Sequence, residues 1–148
     1  MSNIIELWTD GSCNYKDRVG GWGFVIIVDG TEIELKGSAV DTTNNRMELM
    51  AVLKGLSVIS TPSEIKVFTD SEYVRGGILK NGWVDRGTTV KNYDLWVRMN
   101  KIVNFHINVD PIWVKGHSNI YHNERADTLA GQARLSRLKK LNNNGGLS

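Results

Sequence analysis

The segments Leu7-Trp8-Thr9-Asp10-Gly11-Ser12 and Val67-Phe68-Thr69-Asp70-Ser71 each place Thr-Asp at the end of an apolar, strand-like run. In open α/β sheets ligands gather at the carboxyl ends of strands, so two acids at such ends are candidates for chemistry. Taken singly, each reads equally well as a cap on a turn or helix. A third acid, Glu48, lies beside Leu49 and one turn before Val52, on the border of an apolar helical stripe. There it is either a first-turn glutamate favoured by the helix dipole or a half-buried carboxylate that needs a cation or carries a raised pKa. The fourth, Asp127, flanks the stripe of Ala126 and Ala130, or else balances Arg125 or Arg134 from the solvated side. If all four met, their mutual repulsion would call for divalent cations, and an all-oxygen donor set suits Mg²⁺ or Mn²⁺. Two such ions can activate a water and stabilise the leaving oxygen of a phosphodiester, which is metal-assisted hydrolysis.

The elements that must position these residues follow from periodicity. Residues 4–9, 22–28 and 31–40 read as strands, and Asp29-Gly30 between the last two is a two-residue hairpin signal. From Asn44 the period changes: Leu49, Val52, Leu53 and Leu56 form a helical stripe, with Thr43 or Asn44 to cap it, ending before Pro62. Residues 64–69 return to strand, 71–79 to a short helix, and 80–89 to a loop around Asn81-Gly82 and Gly87. Residues 92–105 predict a helix on Leu95, Trp96, Met99, Ile102 and Val103. Residues 108–114 predict a strand, and 123–138 a helix on Ala126, Leu129, Ala130 and Ala133. Strands first, then strand and helix in alternation, give an α/β fold with a mixed sheet and helices packed on it. One domain is expected over residues 1–141, with the polar stretch 142–148 unstructured.

Composition narrows the function classes. With 148 residues, 41% hydrophobic and 23% charged, the chain matches a single soluble domain. No apolar run approaches the length of a membrane span, and the first residues lack the pattern of a secretory signal, so a cytoplasmic location is expected. The lone Cys13 excludes an intramolecular disulfide framework. A zinc site from His117, His122 and Cys13 lacks a fourth ligand and the usual spacing. The net charge of +2 conceals an asymmetry: setting aside Asp10, Glu48, Asp70 and Asp127 leaves 12 acids against 18 bases, a balance of +6. Two Mg²⁺ would cancel the four acids and leave a basic surface suited to a polyanion.

Beyond these local readings, the chain resembles the type I ribonuclease H family, endonucleases that cut the RNA strand of RNA–DNA hybrids. The resemblance rests on Thr9-Asp10-Gly11-Ser12-Cys13, the block from Thr42-Thr43-Asn44-Asn45-Arg46-Met47 to Glu48-Leu49, and Thr69-Asp70-Ser71 with Tyr73-Val74. It continues through Val90-Lys91-Asn92 with Asp94-Leu95-Trp96, then Trp113-Val114-Lys115-Gly116-His117, and ends at Asn123-Glu124-Arg125 with Asp127. These occur in family order over roughly residues 4–135. The resemblance implies a five-stranded mixed sheet, three antiparallel strands then parallel ones, with helices on both sides. It implies that Asp10, Glu48, Asp70 and Asp127 hold two Mg²⁺, with Mn²⁺ a possible substitute, and that cleavage leaves 5′-phosphate and 3′-hydroxyl ends. His117 matches the histidine that assists proton movement and product release, a role suited to imidazole.

Gly11, Ser12, Cys13, Glu48 and Glu72 match the segment that reads the RNA 2′-hydroxyl. Asn44 and Asn45 match asparagines that enter the minor groove, and Thr43 and Asn92 part of a pocket for a DNA-strand phosphate. Such contacts imply largely sequence-independent cleavage. The implied partner is the hybrid itself, with a monomeric chain, no obligate protein partner and no membrane.

The chain also departs from the family pattern. Many members have glutamine at the position of Glu72, a glycine-rich loop in place of Tyr15-Lys16-Asp17-Arg18, and an arginine where Asp41 stands, with Lys16 or Arg18 as substitutes here. The substrate-gripping protrusion is short: between Arg75 and Val90 only Lys80, Arg86 and Trp83 remain, offset by Asp85. Weaker and less salt-sensitive hybrid binding is expected. Trp83 is open to either stacking on nucleic acid or packing. The basic segment Arg134, Arg137, Lys139 and Lys140 reads as a solvated helix end or as added grip. Two other classes share the acid pattern: a cleavage-silent hybrid-binding module on this fold, and a related metal-dependent nuclease or strand-transfer domain.

Overall fold

A computed structural model describes residues 3–145. Five strands, β1 (Ile5–Cys13), β2 (Gly20–Val28), β3 (Thr31–Ala39), β4 (Glu64–Thr69) and β5 (Asn108–Trp113), form one sheet in the order β3-β2-β1-β4-β5. The first three pair antiparallel, whereas β4 lies parallel to β1 and to β5. Asp29 and Gly30 both take positive φ (51° and 78°), the conformation a two-residue hairpin requires.

Helices cover both faces. On one, α1 (Asn44–Val58) lays Leu49, Val52, Leu53 and Leu56 over Leu7, Phe24, Ile26 and Val67, all fully or nearly buried. Thr43 caps this helix, its hydroxyl accepting from the Arg46 amide at 3.2 Å. Helices α2 (Glu72–Leu79) and α3 (Tyr93–Phe105) close the same core with Val74, Ile78, Leu95, Trp96 and Met99. At its far end His106 is buried, its Nδ1 accepting from the Ser63 amide (3.3 Å) while Nε2 donates to the Leu56 carbonyl (3.0 Å). On the opposite face α4 (Tyr121–Gly145) packs Leu129 with Trp8 and Val25.

The sequence expectation differs from the structure at three places. Residues 81–86 form a 3₁₀ segment rather than a plain loop. Trp83 sits there with φ 58°, its ring 6.0 Å from those of Tyr73 and Trp96. The first strand runs four residues past Thr9, because β2 continues to pair with it as far as Cys13. The last helix also runs through residues 142–145, where an unstructured tail was expected. Adding a residue to an existing helix costs far less than starting one, and neither glycine nor proline interrupts residues 132–144. Residues 146–148 of the expected tail lie outside the described residues. Among the described residues no helix is long and apolar enough to cross a membrane.

Candidate active site

The parallel register explains the repeated Thr-Asp. Trp8 pairs with Phe68, their rings stacked at 4.0 Å, so Asp10 and Asp70 lie side by side two residues further along. The Thr9 hydroxyl donates to the Phe68 carbonyl (3.2 Å) and ties the two strand ends together. Neither acid caps a helix: Ser71 caps α2, accepting from the Val74 amide at 3.2 Å. Asp70 is held from the other side by β5, where the Trp113 indole donates to its carbonyl (3.0 Å).

Two close approaches bring the remaining acids to this edge. At Gly11 a Cβ would stand 2.3 Å from the Glu48 backbone nitrogen, so only glycine lets α1 lie this near β1. Glu48 is buried there, its Oε1 accepting from the Gly11 amide. On the other face Gly23, paired with Asp10, has α4 so near that a Cβ would lie 2.6 Å from the Leu129 Cβ. The small residues Ala126 and Ala130 complete that contact and bring Asp127 to Asp10. Asp127 does not balance Arg125, which forms two bonds to Glu34 at 2.6 and 2.8 Å.

The result is an open cleft of about 520 Å³ lined by all four acids, His117, Gly11, Ser12, Cys13, Asn44, Asn45 and Ser71. Asp10, Glu48 and Asp70 can each bring an oxygen within 4.8 Å of the others. Burial, then the neighbouring Glu48, pushes the Asp10 carboxyl far above the usual carboxylate range, past neutrality. Burial also raises Glu48, against the stabilising contact with Asp10, and raises Asp70. Carboxyls that resist ionisation because they are buried, and beside one another, form a cavity that a cation would complete, and oxygen donors fit Mg²⁺ or Mn²⁺.

The Cys13 amide donates to Asn44 Oδ1 at 2.7 Å, joining the β1 end to the start of α1. Thr43 borders a neighbouring hollow of about 390 Å³ with Arg18, Tyr15 and Thr42. Asn92, in the left-handed conformation before α3, donates to the Tyr73 hydroxyl (3.0 Å) and accepts from Arg46 (3.3 Å), away from the cleft lining. Glu72 pairs with Arg75 at 3.2 Å and also stands outside that lining, while Asp41 is matched by Arg18 at 3.3 Å. The sequence reading did not single out Ser71, which lines the cleft, or Glu124, whose carboxylate lies within 4.8 Å of ligand atoms on His117 and Asp127. The three-residue spacing of Glu124 and Asp127 on one helix was the available signal.

A mixed sheet with carboxylates gathered at the carboxyl ends of two parallel strands defines a nuclease-type α/β enzyme. The sequence model of the family described as RNase H matches residues 2–134, and the chain belongs to this family of endoribonucleases. Among curated relatives it is 46% identical to a ribonuclease H of Granulibacter bethesdensis, covering 90% of this chain and 94% of the relative. It is 43% identical to one of Chromobacterium violaceum, covering 86% and 92%. Among solved structures it is similar to LC9-RNase H1, a type 1 RNase H with the type 2 active-site motif, with 27% identity, TM-score 0.77 and coverage of 92% and 74%. LC11-RNase H1, solved in complex with an RNA/DNA hybrid, shares the fold at TM-score 0.75 and 22% identity, with coverage of 90% and 99%.

Proposed function

We propose that this chain hydrolyses the RNA strand of RNA–DNA hybrids with two Mg²⁺ held by Asp10, Glu48, Asp70 and Asp127, leaving 5′-phosphate and 3′-hydroxyl ends. The observation that carries the reading is the convergence of those four acids and His117 on one open cleft in a ribonuclease H chain. Divalent cations bound there supply an activated water and charge stabilisation for the departing oxygen. The protein's own part is to hold the oxygens in place. Glu48 is fixed by the Gly11 amide, and Asp10 accepts from the same amide at 2.9 Å. Asp70 is anchored through its backbone by Trp113. His117, exposed on a left-handed turn (φ 56°), stands at the rim, where its imidazole can accept and return a proton. Gly11 to Cys13 offer backbone and small side chains for the RNA 2′-hydroxyl, and Asn44 and Asn45 offer amides for the minor groove.

We assign Thr43, Glu72 and Asn92 to the flanks of the substrate path. The chain acts as a monomer in the cytoplasm in this reading, as one catalytic domain. Incubation with labelled RNA–DNA hybrid, RNA duplex and DNA duplex, with Mg²⁺ or with EDTA, tests it. Mg²⁺-dependent loss of the hybrid's RNA strand alone, with 5′-phosphorylated products, is the expected result; binding without cleavage, or cleavage of either other duplex at equal rate, would overturn it.

A further inference from the structure

Past Asp127 the chain carries no acid, and the outer half of α4 turns basic with Arg134, Arg137, Lys139 and Lys140. Among the described residues Ala133 is the last one buried in α4, so packing of the core does not account for the turns that follow. Of the acids on the adjoining β3 and its exit, Glu34 is matched by Arg125 and Asp41 by Arg18, while Glu32 is hydrogen-bonded to the His122 ring. The bases are not matched. Lys36 donates to Gln132 Oε1 at 3.0 Å and Arg137 to the Ser38 hydroxyl at 3.2 Å, both neutral partners. Among the described residues, no carboxylate lies within ion-pair distance of Lys36, Arg134, Arg137 or Lys140. Between the end of β3 and α4 opens a hollow of about 470 Å³, with Lys36, Ser38, Arg137 and Lys140 on its walls and no acid among its lining.

This basic end lies two strands across the sheet from the active-site cleft. Ser12, which lines the cleft, pairs with Gly21, and Gly21 pairs in turn with Ser38. A Cβ on Gly21 would lie 2.6 Å from the Arg134 backbone nitrogen, so this turn of α4 rests directly on β2. Burial and the neighbouring Asp17 raise the Cys13 thiol, and the Arg18 and Arg134 guanidiniums act against them. Arg137 and Lys140 lie ten and thirteen residues beyond Asp127, which along a helix is roughly 15 to 20 Å. At about 3.4 Å per nucleotide along one strand, that span equals about four to six backbone steps.

We propose that the outer half of α4 and the end of β3 form a second backbone-binding surface, which holds phosphates of the nucleic acid whose scissile bond lies at the acid cluster. The inference rests on the hybrid-cleavage reading above. It supplies charge that the short segment around Trp83 lacks, through four unmatched bases that track away from the cleft. Phosphate contacts of this kind position a duplex without reading its sequence.

The test compares Arg137→Glu/Lys140→Glu with Lys54→Glu, an exposed lysine on the outer side of α1. Hybrid binding is measured across salt concentration in an Asp10→Asn background, and kcat/KM is measured on hybrids reaching about three and about ten base pairs past the cut, below and beyond the span of about four to six steps. The expected result is a salt slope shallower by about 2, so that the affinity loss at 50 mM salt is roughly tenfold greater than at 200 mM. The long-to-short ratio of kcat/KM falls for the double variant and stays constant for Lys54→Glu. Far-UV circular dichroism monitors the helix, and Arg137→Gln/Lys140→Gln replaces the charge reversal if that variant fails to fold. An unchanged slope and ratio would overturn the proposal, as would an unchanged slope with lost binding of polyglutamate, which would assign the surface to an acidic protein. If the wild type cleaves neither hybrid, the hybrid reading fails by itself, and the binding slopes still decide the surface.

Discussion

Replacing Asp10 by asparagine keeps its shape and removes its ionisable group, and in EDTA this should raise stability rather than lower it. Asp10 is 6% exposed, and its carboxyl is pushed past neutrality by burial and by Glu48. An unfolded aspartate releases its proton near pH 3.9, so above that pH the native chain holds a proton that the unfolded chain gives up. Stability contributed by that proton is complete at low pH and declines by about 1.4 kcal/mol per unit as pH rises. Between about 3.9 and 7 the full loss would be about 4 kcal/mol. Water in the open cleft screens part of the repulsion, which leaves about 2 kcal/mol as the expected gain for Asp10→Asn at pH 7. In a chain of this size that is a rise in Tm of about 4 to 8 °C. Thermal unfolding in EDTA from pH 5 to 8 is the assay, with the wild type losing stability as pH rises and the variant losing less. Adding Mg²⁺ should stabilise the wild type more than the variant. Equal pH slopes, or a lower Tm for Asp10→Asn, would refute the account of an uncompensated buried cluster.

Other positions test the scaffold and the chemistry separately. Gly11→Ala would drive a methyl into the α1 backbone and should cost about 3 kcal/mol in urea unfolding, with activity lost even where the protein remains folded. His106→Ala leaves the Ser63 amide and the Leu56 carbonyl without their partner, at an expected cost of about 3 kcal/mol and no change in the metal dependence of cleavage. His117→Ala should lower kcat by about a hundredfold with little change in KM or Tm, because the imidazole is exposed and outside the core; steady-state kinetics with a thermal melt separates these effects.

Much of the scaffold was legible because its signals are local. The stripe of Leu49, Val52, Leu53 and Leu56 can only face a core, and β4 begins and ends at the residues its alternation marks. Asp29-Gly30 carries its turn in its residue types alone. What the local pattern missed depends on neighbours: β1 extends past Asp10 because β2 pairs with it to Cys13. Trp83 adopts a left-handed backbone in contact with Tyr73 and Trp96, a packing that no pattern within residues 80–89 describes. The fates of Glu72 and Asn92 were likewise decided by partners on the next turn or distant in sequence, Arg75 for one and Arg46 with Tyr73 for the other.

The sequence by itself determined which residues could do chemistry: two Thr-Asp strand ends, a glutamate and an aspartate on the borders of helical stripes, and a loop histidine. Residue type fixes what an atom can donate, accept or ligate, and periodicity fixes which face of an element it occupies. Only the tertiary structure decided that the four acids meet. That meeting depends on the parallel register that sets Trp8 against Phe68, and on Gly11 and Gly23 admitting helices from opposite faces to one sheet edge. The structure likewise decided which charges are left over, because an acid such as Glu34 is neutralised only by the residue that folding brings to it, here Arg125, ninety-one positions away.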